Sequence, residues 1–409
     1  MSGELHVLPN GLTIAVDPLP SAESVVLGLY ASVGSRSEPA PLSGLAHLVE
    51  HMVFKGAGGR DTRALAEVIE DVGGSLNAWT SRDQTTFHGR ALARDVNLLA
   101  ELIADLVRHP HFDEEHLERE KQVILSELGE SVDSPDDLVH DHLFEAAFKD
   151  QAVGRPVLGS EETVRAIAKK DCSDWLQQQF VPSRLVFAAS GKVDPAQVLK
   201  LAERLFGDLA SAEPPAIEPA SFSGGVRNDR RSFEQAHWCL AFRGLPAADP
   251  HHPSLALFVQ ALGGGTSSRL FQELREERGL AYSVYAWNQA FADTGLVGIG
   301  CAADRTQAAE SVELARQVFI QTAEGLTQAE LDRARAQMEA GLLMGLETAQ
   351  GRADQIARSI EVFGRILPLD ELLEQIRSVS LAGARTAGQA LLQGPAAVAS
   401  VGAKLALAA

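Results

Sequence analysis

The chain has 409 residues, too many for one hydrophobic core, and its 45% apolar content is typical of folded domains rather than disorder. Its 55 acidic residues exceed its 36 basic ones, and the formal net charge of −19 argues against nucleic-acid binding, which favours a basic face. No stretch reaches the roughly 18 uninterrupted apolar residues of a membrane-spanning helix. Three widely spaced cysteines and the lack of a signal or transit peptide pattern predict a cytoplasmic protein without disulfides.

The first informative element is a short predicted helix that carries two histidines and a glutamate. It reads His47-Leu-Val-Glu50-His51, with Ser43 as its predicted N-cap and Gly56 as its predicted C-terminal cap. Histidines at positions i and i+4 lie on one face of a helix, where both can bind one metal ion. Glu50 flanks that face in the H-x-x-E-H order, where it can act as a base toward water. Three costly polar groups on a buried helix need a common reason, and a zinc site supplies it.

Two β-rich runs joined by a polar turn follow this helix. The sequence from Gly73 to Phe87 indicates a helix ended by glycine and then a β-hairpin. From the residues alone, this is an ordinary hairpin of a sheet.

The remaining metal ligand is expected on an acidic helix, where Glu127 lies 76 residues beyond His51. Glu120 lies two turns before Glu127 on nearly the same stripe of the helix. One of these carboxylates can bind the metal while the other holds a ligand or orients water. Glu118 and Glu130 lie nearby, and the spacing does not exclude them.

A linker rich in Pro, Ala, Ser and Gly divides the chain in two. We expect an N-terminal domain at 1–206, the linker at 207–229 and a C-terminal domain at 230–409.

The order of predicted elements is similar on the two sides of this linker. The strand at 235–243 resembles the strand at 25–31, and the helix at 326–334 resembles the segment at 112–120. This repetition predicts a duplicated α+β unit, in which each copy is a mostly antiparallel sheet covered by helices on one face. The helix near 255–262 carries no ligand, so we expect metal in the first copy alone.

A glycine-rich segment of the second half carries Arg275 and, seven residues later, Tyr282. Its pattern is that of a glycine-capped surface helix that leads into a strand, with Arg275 in solvent. Arg269 and Arg278 are alternative cations in the same segment.

These segments together resemble the inverzincin metallopeptidases, the M16 group that contains pitrilysin, insulin-degrading enzyme and the mitochondrial processing peptidase. The strongest likeness is to short bacterial members similar to the processing peptidase. The stretch from Gly44 to Gly56 matches the metal helix of the family, and the stretch from Glu118 to Glu127 matches its acidic helix. The resemblance covers nearly the whole chain.

The resemblance implies a role for each candidate residue of the first half. His47, His51 and Glu127 would bind one zinc ion per chain, Glu50 would be the general base, and Glu120 would be a supporting acid.

The same resemblance implies roles for the other two segments. In the family an Arg and a Tyr seven residues apart reach the active site from another domain, and they correspond to Arg275 and Tyr282. The first strand of the hairpin would take a substrate peptide by β-addition, with Asn77 and Ala78 at the matching positions.

Family members close a chamber from four such units, and this chain has two, so the resemblance implies a homodimer. Arg275 and Tyr282 of one chain would then face His47 and His51 of the other. We expect no nucleic-acid or membrane partner, on the grounds of charge and of the missing apolar segment given above. The implied function is a zinc-dependent endopeptidase of the bacterial cytoplasm that cleaves peptides or unfolded segments inside a closed chamber. The alternative is a non-catalytic assembly or binding subunit. Such subunits typically lose pieces of the metal motif, whereas every piece is present here.

Overall fold

The structure is a computed structural model that describes residues 3–406. The chain forms two compact units. Unit 1 contains the residues up to Leu128, Pro156–Glu218 and Leu343–Leu369, and unit 2 contains Gly129–Arg155, Pro219–Leu342 and the residues from Asp370 onward. Each unit thus includes a segment from the other half of the chain, whereas the sequence predicted a division at a single linker. Among the described residues, no helix is both long enough and apolar enough to span a bilayer.

The helices and strands of the first half are, in chain order, β1 (Glu4–Val7), β2 (Thr13–Pro18), β3 (Ser24–Ala31), α1 (Leu45–Val53), β4 (Gly56–Ala57), β5 (Arg60–Asp61), α2 (Thr62–Glu70), β6 (Ser75–Thr80), β7 (Thr85–Leu92), α3 (Val96–Arg108), α4 (Glu114–Asp133), α5 (Pro135–Ala147), α6 (Glu161–Ala166), α7 (Lys169–Gln179), β8 (Leu185–Gly191) and α8 (Pro195–Phe206).

Those of the second half are β9 (Gly225–Asp229), β10 (Gln235–Gly244), α9 (His252–Gly263), a π-helical segment (Phe271–Glu277), β11 (Ala281–Ala290), β12 (Gly295–Asp304), α10 (Ala308–Gly325), α11 (Gln328–Gly345), α12 (Ala349–Phe363), α13 (Leu369–Arg377), α14 (Leu381–Leu391) and β13 (Ala396–Val401).

The sheet of unit 1 has six strands in the order β1-β2-β8-β3-β7-β6. Strands β2 and β8 are parallel and the other neighbours are antiparallel. Strand β8 is buried along its whole length, as expected for an apolar strand that is covered on both faces. One face packs against α1, α3 and α8 around the main core of the unit. Strand β6 is the edge strand on the α1 side.

The opposite face of this sheet is covered by α12. Ile356 and Ala357 of this helix pack against Tyr30 of β3, and the Tyr30 hydroxyl donates a hydrogen bond of 2.6 Å to Asp354. The predicted α+β class is confirmed, but helices cover both faces and not one, because residues such as Tyr30 make the second face apolar as well.

Unit 2 repeats this architecture with five strands in the order β11-β12-β10-β13-β9. Helices α9, α10 and α14 pack together on one face of its sheet, and α5 packs on the other. The pairing of β9 with β13 is parallel, and the remaining strand pairs are antiparallel. The two similar units agree with the predicted duplication.

The predicted caps of the first helix are wrong. Helix α1 begins at Leu45 after Gly44, which has a left-handed backbone (φ 95°), and Ser43 does not cap it. The helix ends at Val53, three residues before Gly56, which instead belongs to β4.

Candidate metal centre

Helix α1 presents its polar residues on one side because the opposite side is anchored in the core. Leu45, Leu48 and Met52 are buried in the main cluster of unit 1. The 3.6-residue period then places His47 and His51 together on the remaining face, with their ring centroids 4.6 Å apart. The predicted arrangement of the two histidines is therefore present in the fold.

Helix α4 brings Glu127 to the two histidines. Its Oε2 lies 3.8 Å from His47 Nε2, and its Oε1 lies 3.7 Å from His51 Nε2. The three ligand atoms all lie within 4.8 Å of one another, and no other such group occurs among residues 3–406. Tetrahedral zinc ligands at about 2.1 Å from the metal lie roughly 3.4 Å apart. Two imidazoles and one carboxylate at these separations fit a zinc ion with little movement.

Glu120 contacts the His51 ring at Nδ1, the nitrogen that does not face Glu127. Glu120 is 7% exposed, and its Oε2 accepts a hydrogen bond of 3.1 Å from His51 Nδ1. Its Oε1 lies 2.9 Å from Lys55 Nζ, so an ion pair fixes the carboxylate in turn. A proton on Nδ1 leaves the lone pair of His51 Nε2 for a metal. Glu120 thus fixes the orientation of the His51 ring, as one of the two roles that the sequence left open for it would require.

The surroundings favour the neutral forms of two groups on α1. Burial raises the pKa of Glu50, and the nearby Glu127 carboxylate adds to this, whereas Thr80 and His51 act in the opposite direction. Burial, together with the His51 ring, lowers the pKa of His47 to about 4. The raised pKa of Glu50 lies closer to neutral pH, and a general acid–base group works best when its pKa is near the pH of the reaction. Oε2 of Glu50 is buried and has no hydrogen-bonding partner among the described residues.

The alternative glutamate and arginine candidates serve other purposes or lie outside the cluster. The exposed Glu118 pairs with the buried Lys121 at 2.7 Å, and Glu130 is not part of the metal-ligand group. Arg269 forms a bidentate salt bridge with Glu330, with hydrogen bonds of 2.6 and 2.8 Å.

Arg275 and Tyr282 lie in unit 2, at the π-helical segment and at the start of β11. Tyr282 is 72% exposed, which is unusual for a large ring. The guanidinium of Arg275 lies 4.8 Å from the Phe271 ring centroid and 5.9 Å from that of Tyr282, so the two predicted residues are neighbours. The carboxylate nearest to Arg275 is that of Glu276, at 4.0 Å.

Asn77 and Ala78 lie on β6, the edge strand of the unit 1 sheet. The Ala78 N–H donates a hydrogen bond of 2.9 Å to Asn77 Oδ1, so this amide points away from the neighbouring strand. The alternation along β6 places Ala78 and Thr80 on the face that packs against α1.

The sequence did not assign a role at the metal centre to Lys55, Thr80 or Glu38. Lys55 and Thr80 act on Glu120 and Glu50 from other elements. Glu38 accepts hydrogen bonds from the backbone N–H groups of Gly44 and Ala46, at the start of α1. A lysine in the turn after a metal helix is the one local signal that sequence reasoning could have used.

Comparison with known proteins gives the family. The model of Insulinase (Peptidase family M16) matches residues 13–161, and the model of the Peptidase M16 inactive domain matches residues 166–338. An uncharacterized zinc protease of Streptomyces coelicolor is 36% identical over 383 residues, which is 91% of this chain and 83% of that protein. The uncharacterized zinc protease YmxG of Bacillus subtilis is 31% identical over 378 residues, 92% of each chain.

Solved structures show the same fold. A peptidase M16 inactive domain from Pseudomonas fluorescens superposes with a TM-score of 0.90 at 22% identity and covers 100% of this chain and 99% of its own. A protease from Helicobacter pylori gives 0.89 at 20% identity and covers 98% and 99%. Because relatives above 30% identity match along nearly the whole chain, the protein belongs to peptidase family M16 and is a metallopeptidase.

Proposed function

We propose that the protein is a zinc-dependent endopeptidase that binds one zinc ion per chain through His47, His51 and Glu127. The observation that carries this proposal is the convergence of two imidazole Nε2 atoms on one carboxylate, at 3.7 and 3.8 Å, with Glu50 beside them and outside the ligand group. When bound, zinc polarises the scissile carbonyl group and lowers the pKa of a water molecule.

Glu50 is the general base of this proposal. Its carboxylate takes a proton from the attacking water and passes it to the nitrogen of the leaving amine. Its buried Oε2 has no partner among the described residues and can therefore receive that proton. Because burial raises its pKa, the Glu50 carboxylate is a better proton acceptor in the first step.

Arg275 and Tyr282 are the proposed donors to the negative charge that develops on the carbonyl oxygen. Their support is chemical and local: a cationic and a phenolic donor lie side by side, and the phenol is exposed without an evident packing role. We propose that they act on the metal centre of a second copy of the chain, in a homodimer that encloses a chamber.

The proposed substrates are peptides or unfolded segments, bound as an added strand along β6. Backbone pairing at an edge strand accepts many sequences, and it requires an extended chain. We place this activity in the bacterial cytoplasm, since Cys172, Cys239 and Cys301 are all free and buried, as expected in a reducing compartment.

The test is cleavage of a quenched fluorescent peptide by the wild-type protein and by Glu50→Gln, with a chelator and with zinc restored. We expect zinc-dependent cleavage that falls by roughly 10²–10⁴-fold in Glu50→Gln, while bound zinc stays at one per chain. Glu118→Gln is the matched control, because this exposed glutamate of α4 pairs with Lys121 and should leave the rate unchanged.

The binding-subunit alternative makes the opposite prediction. If a broad peptide library is not cleaved by protein that holds stoichiometric zinc, the endopeptidase proposal is wrong and a structural or partner-dependent role replaces it.

A further inference from the structure

The loop before α1 places a buried carboxylate against the start of the metal helix. Glu38 is 4% exposed. Its Oε2 accepts a hydrogen bond of 2.8 Å from the backbone N–H of Gly44, and its Oε1 accepts one of 2.7 Å from the N–H of Ala46. Both carboxylate oxygens are therefore used on α1, across a gap of six and eight residues.

These two hydrogen bonds supply acceptors for backbone N–H groups at the start of α1. The first N–H groups of a helix have no partner within it, and Gly44 offers no side chain to accept from them. A carboxylate at this position also interacts favourably with the positive end of the helix dipole. Because α1 is nine residues long, His47 lies in its first turn and Glu50 and His51 in its second. A shift at the start of α1 therefore moves every catalytic group on it.

The other end of the same loop is fixed to the turn between β6 and β7. The N–H of Ser35 donates to Ser81 O at 3.0 Å, and the N–H of Arg36 donates to Arg82 O at 3.1 Å. A Cβ at Gly34 would lie 2.2 Å from Ser81 O, so this approach requires glycine.

A side-chain contact strengthens this end of the loop. The buried guanidinium of Arg36 lies 3.0 Å from Asp83 Oδ1. The loop from Gly34 to Glu38 thus connects the metal helix with the hairpin that carries Ala78 and Thr80.

We propose that Glu38 is a positioning residue of the peptidase. It sets the start of α1, and through it the placement of His47, Glu50 and His51 relative to the β6 edge and to Glu127. The proposal rests on the proposed function, since the geometry that Glu38 maintains is that of the zinc site.

The test is the zinc affinity of Glu38→Gln, measured by competition with a chelator. Glutamine keeps one oxygen but turns an NH₂ group toward a backbone N–H, so either Gly44 or Ala46 loses its acceptor. We expect zinc to bind roughly tenfold more weakly. The visible spectrum of the cobalt-substituted protein should also change, which a loss of overall stability alone would not cause.

Asp194→Asn is the matched control. Asp194 caps α8, in the same unit, by accepting from the N–H of Ala196 at 3.1 Å. Its loss should lower stability in the same way but leave the zinc affinity within about twofold of the wild type and the cobalt spectrum unchanged. If Glu38→Gln does not fold, Asp83→Asn loosens the other end of the loop, and we expect it to weaken zinc binding by roughly threefold.

The outcomes separate the two proposals. A wild-type protein that binds no zinc would overturn the proposed function, and the role of Glu38 with it. A wild-type protein that binds zinc, with Glu38→Gln binding it as tightly and giving the same cobalt spectrum, would overturn the role of Glu38 and leave the proposed function intact.

Discussion

At the scale of single residues, His47 is held in its neutral form by the fold. Burial on α1 lowers its pKa to about 4, and the neighbouring His51 ring acts in the same direction. A neutral imidazole has a lone pair to offer, so His47 can bind a metal through the whole pH range in which an ordinary histidine becomes protonated. The same burial lowers the stability of the folded protein in acid, because the unfolded chain gains a proton on His47 and the folded chain does not.

This cost can be measured in the metal-free protein. The folded pKa of about 4 lies below the value of about 6.5 expected in the unfolded chain, so stability is complete above pH 6.5 and is lost as the pH falls toward 4. Between pH 7.5 and 5, we expect the wild-type protein to lose about 2 kcal/mol of unfolding free energy through this residue. Urea titrations of His47→Gln should lack that loss, whereas those of the control His6→Gln should keep it. Equal losses in wild type and His47→Gln would contradict the assignment.

The two histidines of the proposed metal centre could be predicted from the sequence, as could the supporting Glu120, whereas the contacts of Glu38 and Thr80 could not. His47 and His51 are four residues apart in one helix, and that spacing alone places them together. Glu38 reaches α1 from outside the helix, and Thr80 acts on Glu50 from strand β6. Such contacts depend on how elements pack, and no periodicity in the sequence encodes them.

At the scale of elements, one backbone N–H on the outer edge of β6 is already hydrogen-bonded within its own strand. The Ala78 N–H points away from β7 and donates to the side chain of Asn77. A side chain in this position protects an edge strand from unwanted pairing. A substrate carbonyl that replaces Asn77 Oδ1 would gain the same hydrogen bond, which gives both predicted substrate-binding residues a physical role in the proposal.

Replacement of this amide tests β-addition directly. Ala78→Pro removes the outward N–H, and proline is tolerated on edge strands. We expect kcat/KM to fall about 3- to 10-fold, as for the loss of one hydrogen bond of roughly 1 kcal/mol, with zinc content unchanged. Ala78→Val adds bulk but keeps the N–H, and it should remain near the wild-type rate. If the valine variant loses as much activity as the proline variant, crowding and not backbone pairing is responsible.

Helix α5, from the first half of the chain, belongs to unit 2, and α12, from the second half, belongs to unit 1. The sequence did not predict this arrangement. Both helices have the amphipathic pattern that indicates a helix, but a pattern of apolar residues does not specify which sheet they cover. Strands such as β8, which are apolar on both faces, indicate a second covering layer. The sequence can therefore predict that a second layer exists but not which segment provides it.

At the scale of the whole molecule, the proposed catalytic groups are divided between two similar halves. The first carries the proposed metal ligands and Glu50. In the second, α9 buries Leu255, Phe258 and Leu262 and has no H-x-x-E-H sequence. The second half instead carries Arg275 and Tyr282, so the proposed reaction needs both halves, and the proposed dimer takes them from different chains.

Mixing inactive variants distinguishes this arrangement from a site within one chain. Glu50→Gln and Arg275→Ala should each be strongly impaired as homodimers. After subunit exchange, half of the dimers contain one of each chain, and the Arg275→Ala chain then supplies an intact metal centre that faces Arg275 of the Glu50→Gln chain. One intact site in each mixed dimer should restore about a quarter of the wild-type rate. A mixture of Glu50→Gln and His47→Gln, which damage the same half, should remain inactive. If the first mixture also stays inactive although mass spectrometry detects the mixed dimer, the active site is not shared between chains.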